Sequence, residues 1–502
     1  MAVQTRSQRA APRRTTKPSS PTMATAASTT GSLDDGTQKN NKRKNKRFDI
    51  SKQDISIGAI LAAAFLNLLG FTLAGPITPA LGNHFKLQVG ATFGSLTSAY
   101  PLGMLLGLFL WPMLSDYIGR KPVIVSSLLG SGLGLALQAV VIQMNGSLSM
   151  FLAARALTGA FAGSSPVSKA YLADVGYRNG KLPKYLALRD AASTGAFILG
   201  PLMGGLMYDV RRRILGVSSD VAQSEILKTT GSLSFVIGVS AVASFLAAFM
   251  VFGLVADYKP KTRKQGGSSA SADQSADEEE DSFEEELVAC PLGTKMWIGV
   301  ASVCVVSFLF NVGDSTFHAF FSALLRDEAG LSTRDIGLLY TVLASVSFSV
   351  STTSSSALLQ RFGPVVTCAA GMSCVGAALS FFGLAASPGF SLLTPGFYIL
   401  AAAAALYYCG VPLYGPTIPT MLLRCVPSHR RGAIMGLDGA INTLARVISP
   451  LLMGDIYRRL GAGAAFGVAG GAVFVGALIT LIRRFLVLRE RDQLLAIPSK
   501  AN

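Results

Sequence analysis

Residues 200–212, GPLMGGLMYDVRR, return in altered form at 449–459, SPLLMGDIYRR. Pro201 matches Pro450, Gly205 matches Gly454 and Tyr208 matches Tyr457, all at one offset of 249 residues. A looser match pairs DYIGRKPV (116–123) with QRFGPVV (360–366) at an offset of 244, aligned on Gly119 and Gly363. Offsets close to half of a 502-residue chain describe a duplication, so each half is expected to be one copy of the same unit.

Composition says what that unit is. Half of the residues are hydrophobic, only 14% are charged and the mean hydropathy is +0.46. A soluble chain of this length needs far more charge to cover its surface, whereas a bilayer core takes roughly 20 apolar residues per helix. Twelve spans can be placed, at 55–81, 91–111, 122–144, 148–173, 185–208, 231–256, 294–323, 334–358, 365–386, 393–422, 432–457 and 463–486. They fall into two sets of six on either side of residues 257–293, a Gly- and Ser-rich and then acidic stretch that cannot bury enough apolar surface to fold alone. The expected fold is an all-α membrane protein of twelve transmembrane helices in two pseudo-symmetric six-helix bundles, 55–256 and 294–486. A disordered basic tail (1–54), a flexible acidic linker (257–293) and a short tail (487–502) complete the chain, the linker alternatively serving as a regulatory or partner-binding segment. A parallel repeat of this kind is the plan of a secondary transporter.

Orientation follows from Lys and Arg. With the N-terminus in the cytoplasm, cytoplasmic segments hold 31 of the 44 and the opposite side 9, with Arg155, Lys169, Arg189 and Arg446 inside spans. Both termini are therefore expected inside, against which the run Arg211–Arg212–Arg213 stands as an exception. The net charge of +16 is mostly this topology and not a nucleic-acid surface. NNKRKNKR (40–47) reads as a cytoplasmic anchor or a contact for anionic lipid. The first 33 residues, without an acid before Asp34, also fit an organelle transit peptide, which leaves plasma and organelle membranes both open. The six cysteines lie in the second half without metal-ligand spacing and the three histidines are scattered, so no metal, cofactor or enzymatic triad is expected. No Gly-rich phosphate loop with its Lys is present to drive an ATP pump.

PMLSDYIGRKPV (112–123) resembles the loop signature of the major facilitator superfamily at Leu114, Asp116, Gly119, Arg120 and Lys121, departing from it at Pro112 and Tyr117. LAARALTGAFAG (152–163) resembles the span-four motif built around an arginine, here Arg155. GAFILGPLMGG (195–205) resembles the span-five antiporter motif, and LLGFTLAGPITPAL (68–81) the Gly-rich approach to paired prolines in span one. The likeness covers nearly all of 55–486 and is nearest the twelve-span drug:proton antiporters, tetracycline-resistance-like and organic-cation-transporter-like. It implies that Asp116, Arg120 and Asp174 form a charge cluster that latches the halves together on the cytoplasmic side, and that Arg155 handles protons or substrate.

Other candidates come from the cost of intramembrane charge. Asp314 is the one acid inside span seven, with His318 one helical turn on and Asn311 and Ser315 beside it, and is the expected proton-coupling group. Lys169, fourteen residues after Arg155, falls on a similar helix face and either lines the cavity or snorkels to headgroups. In span eleven Asp438 reads as a helix-start carboxylate and Arg446 as a deeper charge, with Arg189 and Asp190 at the equivalent start of span five. Tyr414, between two prolines of span ten, is the aromatic expected to line the cavity. Gly195, Gly200, Pro201, Gly204 and Gly205 are expected to let span five approach a helix of the other half and bend at the proline. The expected activity is proton-coupled export of a small amphiphilic organic molecule by a monomer in the bilayer, without a nucleic-acid partner. A metabolite uniporter or symporter, and a non-transporting receptor on the same fold, are the alternatives.

Overall fold

The computed structural model describes residues 35–179, 182–215, 221–256, 294–386, 396–423, 425–426 and 431–495. The acidic linker, most of the basic tail and the last residues of the C-terminal tail lie outside them. The chain divides into two units, residues 1–51 and 52–502, and, apart from the part of α1 before residue 52, everything below concerns the second.

Among the described residues the structure is helical throughout. The N-terminal half contains α1 (Asp35–Thr72), α2 (Thr78–His84), α3 (Ala91–Ile118), α4 (Arg120–Gln143), α5 (Leu148–Ala160), α6 (Ser164–Asn179), α7 (Leu182–Ile214) and α8 (Val221–Leu254). The C-terminal half contains α9 (Thr294–Ala329), α10 (Thr333–Val350), a π-helical turn (Ser351–Ser355), α11 (Ser356–Ala385), α12 (Gly396–Tyr414), α13 (Thr417–Leu423) and α14 (Arg431–Leu495).

Nine helical stretches among the described residues are long and apolar enough to cross a membrane, against the twelve spans expected. The difference has local causes. The 53-residue stretch Thr333–Ala385 and the 51-residue stretch Ile434–Arg484 are each two helices joined across a kink at a glycine with non-helical angles, Gly363 (φ 77°, ψ 168°) and Gly461 (φ 90°, ψ 169°). The expected fourth span is broken at residues 161–163 into α5 and α6, of 13 and 16 residues. Its phase is lost at the break, which removes the expected alignment of Arg155 with Lys169 on one helix face.

The duplication is visible in the backbone. Gly119, between α3 and α4, has φ 105° and ψ 161°, and its counterpart Gly363 has φ 77° and ψ 168°. Only glycine takes such angles without strain, which is why both copies of the loop keep it.

Residue 53 and the turns at 119, 255 and 363 mark the near end of the bundle, and the turns at 85, 144, 330 and 461 its far end. At the far end the halves interlock along two seams. On α7, a Cβ on Gly205 would press on the Thr333 carbonyl and Arg334, and one on Gly337 of α10 would meet the Pro201 carbonyl. Thr341 of α10 donates to the Ile198 carbonyl at 3.0 Å. The second seam is the first moved through the repeat: Gly94 of α3 lies against the Pro450 carbonyl of α14, and Gly454 against Gly90. Arg326 of α9 pins them, donating to the Pro79 carbonyl (2.8 Å) and to Asn83 Oδ1 (3.0 Å). Toward the near end α3 instead exposes Leu102, Leu106, Phe109 and Met113, at helical spacing. The inter-half contacts described thus gather at the far end.

Candidate functional site

The motif that opens α7 serves two neighbours. Gly200 and Gly204 face α1 of their own half, where a Cβ would collide with the Thr72 hydroxyl and the Leu73 carbonyl, and Thr72 Oγ1 donates to the Ala196 carbonyl at 3.0 Å. Pro201 and Gly205, one position on, face α10 of the other half. The expected approach to the other half is therefore made by Pro201 and Gly205, not by Gly200 and Gly204. Gly195 has only ordinary contact with Phe65, so a side chain would fit there. α7 runs as one helix through Pro201.

Arg120 of the loop motif meets both Asp116 and Asp174. Arg120 Nη1 donates to Asp116 Oδ1 at 2.7 Å and to Ser115 Oγ at 2.6 Å, while its Nε donates to Asp174 Oδ2 at 3.2 Å. Each of these partners belongs to the N-terminal half. Tyr117, in place of the motif's arginine, is 82% exposed, and Lys121 lies apart with its ammonium 5.6 Å from the Phe252 ring centre.

Asp314 lies in unbroken α9, and it is 9% exposed. Gly313 beside it marks no break: a side chain there would strike Val473 and Leu379. The Tyr407 hydroxyl of α12 donates to Asp314 Oδ1 at 2.6 Å. His318 Nε2 stands 3.6 Å from the same oxygen, and Arg446 Nη2 3.9 Å from Oδ2, both within ion-pair range but beyond a hydrogen bond. Arg446 is held elsewhere, its Nε donating to Asn311 Oδ1 at 3.1 Å. Asn311 Nδ2 donates to the Ser307 carbonyl (2.9 Å), Ser307 Oγ donates to Asn442 Oδ1 (2.7 Å), and Asn442 Nδ2 donates to Asp438 Oδ2 (2.9 Å). Tyr414, stacked on Phe310 at 3.5 Å, donates to Ser307 Oγ at 3.2 Å. A run of polar contacts therefore links Asp314 to Asp438 across α9 and α14, its Asp314–Arg446 step an ion-pair contact of 3.9 Å, with Tyr407 and Tyr414 of α12 joining from the side.

Asp438 differs from its expected role. α14 begins at Arg431, so this carboxylate lies two turns inside the helix, 7% exposed, with Oδ1 unmatched. It is a member of the polar chain and not a helix cap. Arg155, in α5, has a buried Nε without a partner, and Tyr100 of α3 lies within electrostatic reach of both Arg155 and Arg446. The arginines of the two halves thus approach one tyrosine across the molecule. Lys169 is exposed on α6, within electrostatic reach of Arg189 and Asp190, and Ser315 Oγ is buried without a partner.

Tyr407, Ser307, Asn442 and Tyr100 were not among the expected site residues. Tyr407 is 1% exposed and stacked on Phe317 at 3.9 Å. Its signal in the sequence was a tyrosine whose hydroxyl needs a partner in an apolar span. Asn442 could have been found as a polar residue four positions after Asp438, one helical turn away.

The Major Facilitator Superfamily model matches residues 60–393 and 303–501. The chain is 23% identical over 501 residues to the major facilitator-type transporter psiT2 of Psilocybe cubensis, covering 91% of this chain and 92% of that protein. It is 24% identical to the class C tetracycline resistance protein of Escherichia coli, covering 86% and 96% of the two chains. The crystal structure of the human organic anion transporter MFSD10 (TETRAN) superposes with a TM-score of 0.57 over 85% of this chain and 99% of that one, at an identity of 18%, which bears on the fold alone. Duplicated helical halves, a Gly-turned loop closed by Arg120 and a polar centre between two sealed glycine seams meet a family match spanning the chain: this is a multi-pass membrane transporter of the major facilitator superfamily.

Proposed function

We propose that the chain is a proton-coupled antiporter that exports a small amphiphilic organic molecule by alternating access. The observation that carries this reading is the setting of Asp314. It is a buried carboxylate with one strong hydrogen bond, from Tyr407, while the Arg446 guanidinium and the His318 imidazole stand just outside bonding distance. Burial disfavours the charged form of a carboxylate and a nearby cation favours it. Small movements of Arg446 toward or away from Asp314 therefore change the proton affinity of the site. A group whose proton affinity follows conformation is what coupling requires.

On this reading both termini are cytoplasmic, so that the near end faces inward and the two glycine seams close the outward side. Arg120 is then satisfied inside its own half, and Asp116, with 62% of its side chain exposed, is free to meet the other half when the near end closes. Arg155 and Tyr100 form the N-terminal wall opposite Asp314. Substrate that presses Arg446 toward Asp314 on entering between the halves expels the proton, which makes the exchange obligatory.

The test uses purified protein in liposomes under an imposed pH gradient, with a panel of amphiphilic organic molecules that includes tetracycline. The gradient is expected to drive flux of a panel member. Asp314→Asn and Arg155→Ala are expected to abolish that dependence, with substrate exchange at equal pH persisting in Asp314→Asn. Flux that ignores a protonophore, or gradient-driven flux unchanged in both variants, would rule the coupling reading out in favour of a uniporter.

A further inference from the structure

The N-terminal half holds a cavity of about 290 Å³ that the polar centre does not use. It lies among α1, α4, α6 and α7, and its lining combines Ile60, Leu128 and Phe197 with Asn67, Ser165 and Arg189. Arg189 is 6% exposed. Its Nη2 donates to Ser165 Oγ at 2.7 Å and to the Ser165 carbonyl at 3.3 Å. Its Nη1 comes only to 3.6 Å from Asp190 Oδ1, and its buried Nε has no partner.

A buried guanidinium that keeps an unmatched N–H is costly, because that donor has lost water and gained nothing. The group that matches such a fork is a planar anion, which accepts two parallel hydrogen bonds from Nε and a terminal nitrogen. Asp190 does not fill this role: its side chain is 72% exposed. Lys169 stands within electrostatic reach of both residues, so two cations share one solvated carboxylate. The cavity therefore offers a positive floor, hydroxyls and an apolar wall, at the small end of the roughly 300–1,000 Å³ usual for ligand pockets.

We infer that this cavity receives the carboxylate end of a small amphiphilic organic acid, anchored by the Arg189 fork, with its hydrocarbon part against Ile60, Leu128 and Phe197. Asp190 is the resting counter-charge that the ligand displaces. The inference rests on the carrier reading above and narrows its substrate from an amphiphile to an organic acid. An anionic lipid headgroup presents similar chemistry, and the test separates the two.

The full-length protein in phosphatidylcholine nanodiscs is titrated with labelled benzoate, with benzamide and benzylamine as competitors. Benzoate is expected to bind saturably and to resist both competitors, which lack the charge or carry the wrong one. Arg189→Gln is expected to weaken binding by about tenfold or more, since it removes a charge-assisted hydrogen-bonding partner. Arg189→Lys, which keeps the charge and loses the fork, should fall between, and Asp190→Asn should bind benzoate at least as tightly as the parent. The Asp190 variant alters an exposed side chain, so it remains informative if the arginine variants fold poorly. Absence of saturable binding, equal displacement by benzamide, weaker binding in Asp190→Asn or unchanged binding in Arg189→Gln would each overturn the proposal. Displacement of benzoate by anionic lipid in the disc would assign the cavity to a headgroup and overturn it as well. No pH gradient is involved, so a failure of proton coupling leaves this measurement intact, and a failure here leaves the Asp314 experiment untouched.

Discussion

Arg189 in α7 and Asp438 in α14 are 249 residues apart, the offset of the duplication, and are 6% and 7% exposed. Each leaves one polar atom unmatched, Nε in the first and Oδ1 in the second. The same backbone position thus carries a buried charge in both halves, with opposite sign. Asn67 and Asn311, 244 residues apart, repeat the pattern: Asn67 donates to Ser164 Oγ at 3.3 Å beside a cavity, whereas Asn311 bridges Arg446 and Ser307 in a filled polar chain. Duplication has preserved the depth of these polar positions, and the neighbouring side chains have assigned their chemistry. The N-terminal half keeps an open cationic pocket and the C-terminal half a closed network around two carboxylates.

The strongest way to break this comparison is to neutralise the two acids in turn. Asp314→Asn is expected to reduce pH-driven flux in liposomes by at least about tenfold, the effect of one lost charge-assisted contact. Asp438→Asn, whose remaining oxygen still accepts from Asn442, is expected to retain most of it; equal losses would make the two carboxylates one unit. Next in size is the contrast between adjacent glycines. Gly204→Leu overpacks α7 against α1 inside one half, at about 1–3 kcal/mol, and should lower thermal stability in detergent. Gly205→Leu meets α10 across the seam and should instead raise labelling of cysteines introduced at the far end, with less change in stability. Arg326→Ala removes two hydrogen bonds across the halves, made by a charged donor and so worth up to about 1.5–3 kcal/mol each. The same labelling assay should show a far-end opening in that variant as well. The smallest change is Ser449→Gly, which gives the C-terminal copy the glycine its counterpart has. It removes the bonds from Ser449 Oγ to the Val312 carbonyl (2.7 Å) and to Thr316 Oγ1 (3.0 Å), and should cost on the order of 1 kcal/mol in stability with transport retained.

Much of this was legible in the sequence, because its signals are periodic or sterically absolute. Apolar runs have one physical solution in a bilayer, and Gly119 and Gly363 announce the same turn because no other residue takes it cheaply. Asp314 was legible because a lone acid in a span is expensive. What escaped depends on contacts between distant helices. The direction in which Gly200 and Gly205 point is a matter of helical phase, one position apart, and no periodicity says which neighbour occupies which side. Asp438 lies seven residues past the start of α14, which the polar run PSHRR (427–431) marks in the sequence; what the sequence does not show is that a carboxylate two turns in meets Asn442 and not the helix terminus. Tyr407 was passed over because it sits among aromatics that fill space, and only the fold shows its hydroxyl on a carboxylate 93 residues away.

The two far-end seams have a consequence for hydration. They join glycine to the carbonyls of Pro201 and Pro450, within continuous helices that keep their own hydrogen bonds when parted. Parting the glycine–carbonyl contacts themselves wets mainly backbone already satisfied inside its helix, so the apolar cost of opening, about 25 cal/mol per Å², falls on the side chains buried beside them, Phe93 and Phe320 among them. The bias toward the closed form is therefore carried by Arg326 and by buried apolar side chains such as the Phe93–Phe320 pair, 6.1 Å between ring centres, more than by the glycine seams. A conformational balance carried by few side chains is one that a ligand with different affinities for the two forms can shift.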